Sequence, residues 1–233
     1  MTNPHLWKVA RRNNPKPPAR LGQRYSRDAF LPEAGNTVIC PLDFDHPDHR
    51  AVLNARSKIQ ALPGAEKFIF TPASSLHMTV FEGAIETRRT KDAWPAGVSR
   101  QAEIRDVTAY LMGRLSDFVP LPAFSVRVAG VAPTGLILTG ATQRDENTLR
   151  AWRDALTDPF GFRHDAHDRY AFHMTFGYSI DWLSDDEVAQ WAQALPAIHA
   201  DLVRDVPVLP LKPPVFCRFS DMERFDELLV LQS

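Results

Sequence analysis

Apolar and polar positions follow one another in a similar order in the two halves of the chain. In the first half, NTVICPLD is a β-branched apolar run, HRAVLNARSKIQAL has apolar residues at helical spacing, and EKFIFTPASSLHMTVFEG is again apolar and β-branched. Pro63 and Gly64 end the helical pattern. The first half therefore predicts a strand, a helix and a second strand.

The second half predicts a related series of elements. FSVRVAGV and GLILTGAT are strand-like and are separated by Pro133, Thr134 and Gly135, a turn signal. NTLRAWRDALTDPFG has helical spacing, and YAFHMTFGYSI returns to a strand pattern. Each half thus ends in a predicted strand with the same short motif.

Helices and a hairpin account for the rest of the pattern. SRQAEIRDVTAYLMGRLSDF predicts a helix with Ser99 as its N-cap, and SDDEVAQWAQAL begins with Ser184 and Glu187 at capping-box spacing. PVFCRF and DELLVL predict a closing hairpin.

The predicted fold class is α+β with two pseudo-symmetric lobes. Each lobe is expected to be an antiparallel or mixed sheet with helices outside, and the lobes are expected to face each other across a central groove. We expect one bilobal domain over residues 36–233, with lobe one at about 36–98 and lobe two at about 120–180. Residues 1–35 are expected to form a basic N-terminal arm.

The repeated motif is the triplet His-Met-Thr, at His77–Thr79 and again at His173–Thr175. Random ordering of this composition yields about 0.01 such triplets per chain, so two copies between apolar neighbours are not expected by chance. Alternate side chains of a strand share a face, which predicts a buried methionine and a polar face with His and Thr. The His and Thr of one copy are then roughly 6–7 Å apart at the backbone.

Two opposed imidazoles suit general acid/base catalysis, because one ring can be neutral while the other is protonated near neutral pH. In-line displacement at phosphorus needs a base on the attacking oxygen and an acid on the leaving oxygen. Threonine hydroxyls can donate hydrogen bonds to the non-bridging phosphate oxygens. Two facing histidines would meet this geometry, so the doubled motif is compatible with in-line displacement at phosphorus.

The LHMTV and FHMTF stretches resemble the signature of the two-histidine (2H) phosphoesterase superfamily, which includes LigT-type RNA ligases and plant cyclic phosphodiesterases. NTVICPLD and the Trp94-Pro95 pair are similar to an uncharacterised bacterial branch. The resemblance implies that His77 and His173 are the acid/base pair and that Thr79 and Thr175 bind phosphate. It also implies metal-independent chemistry on 2′,3′-cyclic or 2′,5′-linked phosphodiesters of RNA or nucleotides, with no cofactor.

Three neighbouring residues receive a prediction from strand alternation. Phe81 shares the face of His77 and is a possible stacking surface for a base, although covering the lobe interface is the commoner role. Arg169 shares the face of His173 and is a possible phosphate contact. Tyr178 falls on the face of Met174 and is expected in the core.

Two alternatives remain open at this point. The run HDAHD, residues 164–168, has the residue types of a metal site and would suit a metal-dependent phosphohydrolase. A non-catalytic RNA- or nucleotide-binding module could keep the groove and use the basic arm for affinity. No glycine loop of the GxG or Gly-Lys-Ser/Thr type occurs, which disfavours an NTPase or a dinucleotide enzyme.

Charge is unevenly distributed. The net charge is −1, yet residues 1–27 carry seven basic and no acidic side chains, so this arm could contact a polyanion or pack as a solvated tail. No apolar run is long enough to span a bilayer, and Cys40 and Cys217 form no disulfide pattern. We expect a cytoplasmic monomer that acts on a nucleotide or an RNA terminus, without membrane association or an obligate protein partner.

Overall fold

The computed structural model describes residues 4–232 and has an α+β fold. Its five α-helices are α1 (Pro4–Trp7), α2 (His49–Gln60), α3 (Ile104–Leu115), α4 (Gln143–Phe160) and α5 (Asp185–Asp205). Its nine strands are β1 (Gly35–Pro41), β2 (Phe68–Phe70), β3 (His77–Ile85), β4 (Val126–Ala132), β5 (Gly135–Gly140), β6 (His173–Thr175), β7 (Gly177–Ser179), β8 (Val215–Phe219) and β9 (Phe225–Val230).

Seven of the strands form one antiparallel sheet in the order β4-β5-β6-β3-β1-β8-β9. The prediction of two lobes with separate sheets differs from this arrangement. The motif strands β3 and β6 lie side by side in the same sheet, joined at the single pair Met78 and Met174. The halves of the chain therefore meet edge to edge, because the free edges of β3 and β6 satisfy each other's backbone groups.

Local capping signals set the beginnings of the long helices. Ser184 and Glu187 form the predicted capping box at the start of α5, which is confirmed. Thr142 and Asp145 form another at the start of α4. The prediction of Ser99 as N-cap of α3 is wrong, because Ser99 caps a preceding turn by accepting a hydrogen bond from the Gln101 amide.

The predicted strand YAFHMTFGYSI is broken into two short strands of different sheets. β6 pairs with β3 and β5, whereas β7 pairs with β2 in a separate two-stranded sheet. Gly177 permits this change, since a Cβ there would lie 2.6 Å from the carbonyl oxygen of Ile69. The break leaves the motif at the end of its strand, next to the second sheet.

The main core lies on the sheet face that carries the two methionines. Met78 and Met174 are both fully buried, and helices α3 and α4 pack on this side through residues such as Leu111 and Leu149. The opposite face of β3 and β6 is left for polar side chains. The helices therefore support the motif strands from behind.

The basic N-terminal segment packs against the rest of the protein. Its Leu6, Val9 and Tyr25 are buried, and Ala10 forms a parallel bridge with Leu183. Two of its arginines form ion pairs with residues near the start of α5, Arg11 with Asp181 and Arg12 with Asp185. In the described part of the chain, no helix is long and apolar enough to cross a membrane.

Candidate active site

The two His-Met-Thr triplets are related by the local two-fold axis of an antiparallel strand pair. Because Met78 faces Met174, His77 lies across from Thr175 and Thr79 lies across from His173. Side chains directly opposite on one face are about 4.5–5.5 Å apart at Cβ, and the diagonal pair is roughly 7–8 Å apart. The two histidines are that diagonal pair, with room for a small group between them.

All four polar motif residues line one pocket of about 160 Å³. The methionines are fully buried, His77, Thr79 and Thr175 are half-buried, and His173 is exposed. The predicted division of each triplet into a buried methionine and a polar His/Thr face is therefore confirmed. The pocket is also lined by residues from β1, β7, β9 and the N-terminal segment: Thr37, Tyr178, Phe225 and Arg24.

Both imidazoles are held in the same way. The Nδ1 of His77 donates to the carbonyl of Ser75 at 2.7 Å, and the Nδ1 of His173 donates to the carbonyl of Ala171 at 2.9 Å. A carbonyl oxygen can only accept, so the hydrogen of each ring is assigned to Nδ1. Each neutral ring then has its lone pair on Nε2, the nitrogen left for a ligand.

Burial keeps the His77 imidazole neutral. Removal of the ring from water lowers the pKa of His77 to about 4; the Ser75 carbonyl opposes this shift, and the nearby His173 adds to it. The His77 and Phe225 rings pack in a T-shaped arrangement with 4.3 Å between their centroids. His77 is therefore unprotonated at neutral pH and able to accept a proton through Nε2.

A second layer of side chains orients Thr79. The hydroxyl of Tyr170 forms a hydrogen bond with Thr79, and burial raises the pKa of Tyr170. Arg153, which is 1% exposed, lies 3.8 Å from the Tyr170 ring centroid and donates to the carbonyl of Val80. The buried guanidinium of Arg153 therefore links α4 to β3 at Val80, the residue after the first triplet.

Phe81, which strand alternation offered as a possible stacking surface for a base, lies in the core instead. The register of β1 and β3 shifts between the pairs Val38–Phe81 and Ile39–Thr79, so Val80 is an extra residue in β3. Beyond this bulge the alternation is inverted: Phe81 is fully buried against Phe160. Glu82 instead lines the pocket.

Arg169 and Tyr178 also differ from their predicted positions. Arg169 is exposed in a 3-10 turn and does not line the pocket, because strand alternation does not extend back to it from β6. Tyr178 is half-buried: it packs against the small cluster of Ile85, Phe219 and Met222 and not beside Met174, and it lines the pocket. The chain changes sheets at Phe176, which ends the alternation that placed Tyr178 beside Met174.

Arg24 is a site residue that strand patterns did not identify. It belongs to the N-terminal segment, lines the pocket, and lies beside the Tyr178 hydroxyl. Its Nε donates to Glu33 at 2.5 Å, and the Glu33 side chain is only 2% exposed. The basic composition of residues 1–27 was the only signal for it in the sequence.

The HDAHD run touches the wall of the pocket of the two histidines through His164, whose Nε2 donates to the carbonyl of Glu82 at 2.7 Å. His167 and Asp168 approach Asp154, and their ligand atoms lie within 4.8 Å of one another. However, Arg163 already forms ion pairs with Asp154 and Asp168, so a cation occupies the position between these carboxylates. No residue of 164–168 lines the pocket. Nothing in this arrangement favours the metal-dependent alternative.

The two His-x-Thr strands pair in one antiparallel sheet, and the residues on their polar face are those that carry the resemblance to the two-histidine phosphoesterases. The family model described as "2H-phosphodiest: Domain of unknown function (DUF1868)" matches residues 24–137, which include the first triplet and Arg24. No curated protein matches the chain.

A solved structure extends the similarity over the whole chain. The crystal structure of the conserved protein of unknown function ATU0111 from Agrobacterium tumefaciens strain C58 is 40% identical, covers 99% of this chain and 100% of its own, and superposes with a TM-score of 0.96. The family-model match over residues 24–137 supports membership of the 2H phosphoesterase superfamily.

Proposed function

We propose that the protein is a metal-independent phosphodiesterase that acts on 2′,3′-cyclic phosphates or on phosphodiester ends of RNA or nucleotides. The observation that carries the proposal is the pair of histidines in one pocket, each with Nδ1 bound to a carbonyl and Nε2 left for the ligand. Thr79 and Thr175 alternate with them and supply hydroxyl donors for the non-bridging oxygens.

The different burial of the two histidines supports different roles for them in the proposed hydrolysis. His77 is neutral and accepts a proton from the attacking water while the oxygen of that water forms a bond to phosphorus. The exposed His173, on the diagonal, gives a proton to the ribose oxygen as the P–O bond breaks. The product is a phosphomonoester with a free hydroxyl. Arg24 adds a positive charge at the edge of the pocket, where phosphate charge must be held.

The deciding experiment is hydrolysis of 2′,3′-cyclic nucleotides and cyclic-phosphate-ended RNAs in EDTA. We expect turnover by the wild type and a loss of about 10²–10⁴-fold in kcat for His77→Ala and for His173→Ala, the usual contribution of a general acid or base. His46→Ala is the matched control, because His46 is exposed and lies outside the pocket. Activity that EDTA abolishes and a divalent metal restores contradicts the proposal.

A non-catalytic nucleotide-binding module is the second candidate. It keeps the same pocket and predicts ligand binding that is weakened by salt, with no turnover of any phosphodiester in the panel. The hydrolysis assay, combined with a measurement of ligand binding to His77→Ala, therefore distinguishes the two candidates. Binding without turnover in the wild type favours the binding module.

A further inference from the structure

A second pocket of about 410 Å³ adjoins the pocket of the two histidines. Three residues line both pockets: His173, Thr175 and Tyr178. A ligand whose phosphate lies at the histidine pair can therefore continue into the second pocket. Its volume falls within the range of small-molecule sites and is large enough for a nucleoside.

The two walls of this second pocket come from distant parts of the sequence. One wall is the β5–β6 region with β7, and the other is the N-terminal segment, which contributes Val9 and Tyr25. Tyr25 stacks on Tyr178 with 5.2 Å between ring centroids, and Trp182 also lines the pocket. Apolar and aromatic walls of this kind suit a sugar and a base.

The charged groups in this pocket are basic. Lys8 and Arg20 line it, and none of its described lining residues is an aspartate or a glutamate. Arg20 is 45% exposed and lies 3.5 Å from Glu33, which is already bound by Arg24 at 2.5 Å and by Thr87 at 2.8 Å. The guanidinium of Arg20 thus keeps donors that can turn toward an anion.

We infer that the second pocket binds a further phosphate of the substrate, separated by one nucleoside from the phosphate at the histidine pair. Lys8 and Arg20 hold this phosphate, and the stacked tyrosines contact the nucleoside. The inference rests on the proposed function and narrows its substrate class to nucleotides with two phosphates. A 5′-terminal phosphate and an internucleotide phosphate have the chemistry that these cations recognise.

Calorimetric titration tests the inference without turnover. The probes are a nucleoside 3′,5′-bisphosphate and the matching nucleoside 3′-monophosphate. We expect the wild type to bind the bisphosphate about tenfold more tightly, the usual gain from one charged hydrogen bond. Arg20→Gln and Lys8→Gln should each reduce this preference at least about threefold. Arg27→Gln is the matched control: it removes the same charge from the same segment, and Arg27 lines neither pocket.

Equal affinity for the two probes, no binding of the bisphosphate, or an equal loss in Arg27→Gln overturns the inference. Steady-state kinetics distinguish this inference from the proposed function. The substrates are 2′,3′-cyclic nucleotides with and without a 5′-phosphate. A dinucleotide that ends in a cyclic phosphate tests whether the second phosphate is an internucleotide one. Turnover without any preference for the second phosphate overturns the inference alone. A bisphosphate preference without turnover overturns the proposed function and leaves the second phosphate site in place.

Discussion

His77 and His173 have the same hydrogen-bonding pattern but different surroundings. In each ring, Nδ1 donates a hydrogen bond to the backbone carbonyl two residues earlier in the chain. A backbone group, and not a carboxylate, therefore sets the orientation of the ring and the direction of Nε2. His77 is further enclosed by Phe225, whereas His173 is exposed at the junction of two pockets. At the scale of single residues, burial therefore distinguishes two side chains that the motif makes equivalent.

The pKa of His77 gives a direct test. Because burial lowers it from the ordinary 6.5 to about 4, the ring stays neutral as the pH falls through 6 and 5 and becomes protonated only near 4. NMR titration of the imidazole C2–H signal, assigned with His77→Gln, measures this value. We expect the acidic limb of kcat/KM near pH 4. A His77 midpoint near 6.5 contradicts the assignment of this residue as the base.

The arrangement of the strands around β6 is the main feature at the scale of elements. β6 has only three residues, yet it pairs with β3 on one side and with β5 on the other. Gly135 lies opposite Thr175 and has a φ of +147°, a backbone conformation that residues other than glycine rarely adopt. The position of Thr175 therefore depends on a glycine in the neighbouring strand.

Gly135→Ala should destabilise the protein by about 2 kcal/mol or more. The added Cβ would lie 2.0 Å from the carbonyl oxygen of Met174, so the β5–β6 pairing must shift. Gly130→Ala is the matched control, because its Cβ would meet nothing closer than 3.8 Å. Urea denaturation of both variants measures the difference in unfolding free energy; equal stability of the two contradicts the close-approach explanation.

At the scale of the whole molecule, the N-terminal segment completes the site. It places Arg24 at the pocket of the two histidines and Lys8 and Arg20 at the adjoining one. Glu33, which is almost fully buried, holds Arg24. Glu33 also accepts a hydrogen bond from Thr87 at 2.8 Å, so the residue that positions Arg24 at the pocket is itself linked to the rest of the fold.

Arg24→Gln should reduce both stability and activity. It leaves Glu33 buried without its closest partner, at a cost of roughly 3 kcal/mol, and it removes a positive charge from the pocket. The double variant Arg24→Gln/Glu33→Gln should recover at least half of the lost stability, because the uncompensated carboxylate is gone, without recovering kcat/KM. Thermal and urea unfolding together with steady-state kinetics check this. Recovery of activity in the double variant would mean that Arg24 acts only through folding.

The sequence by itself determined the local structure and the identity of the motif. Apolar periodicity and capping residues predicted α2, α5 and the β8–β9 hairpin, since these depend on neighbours in the chain. Alternation also predicted which side chains of each His-Met-Thr triplet are buried. Such features follow from spacing over a few residues.

Only the tertiary structure decided how the two motifs meet and what surrounds them. The bulge at Val80 moved Phe81 into the core and Glu82 into the pocket, and the change of sheet at Phe176 brought Tyr178 to the site. The pairing of β3 with β6 and the position of Arg24 depend on contacts between residues far apart in the chain. Period-two alternation could not predict the faces of Phe81 and Glu82, because one inserted residue inverts every position after it.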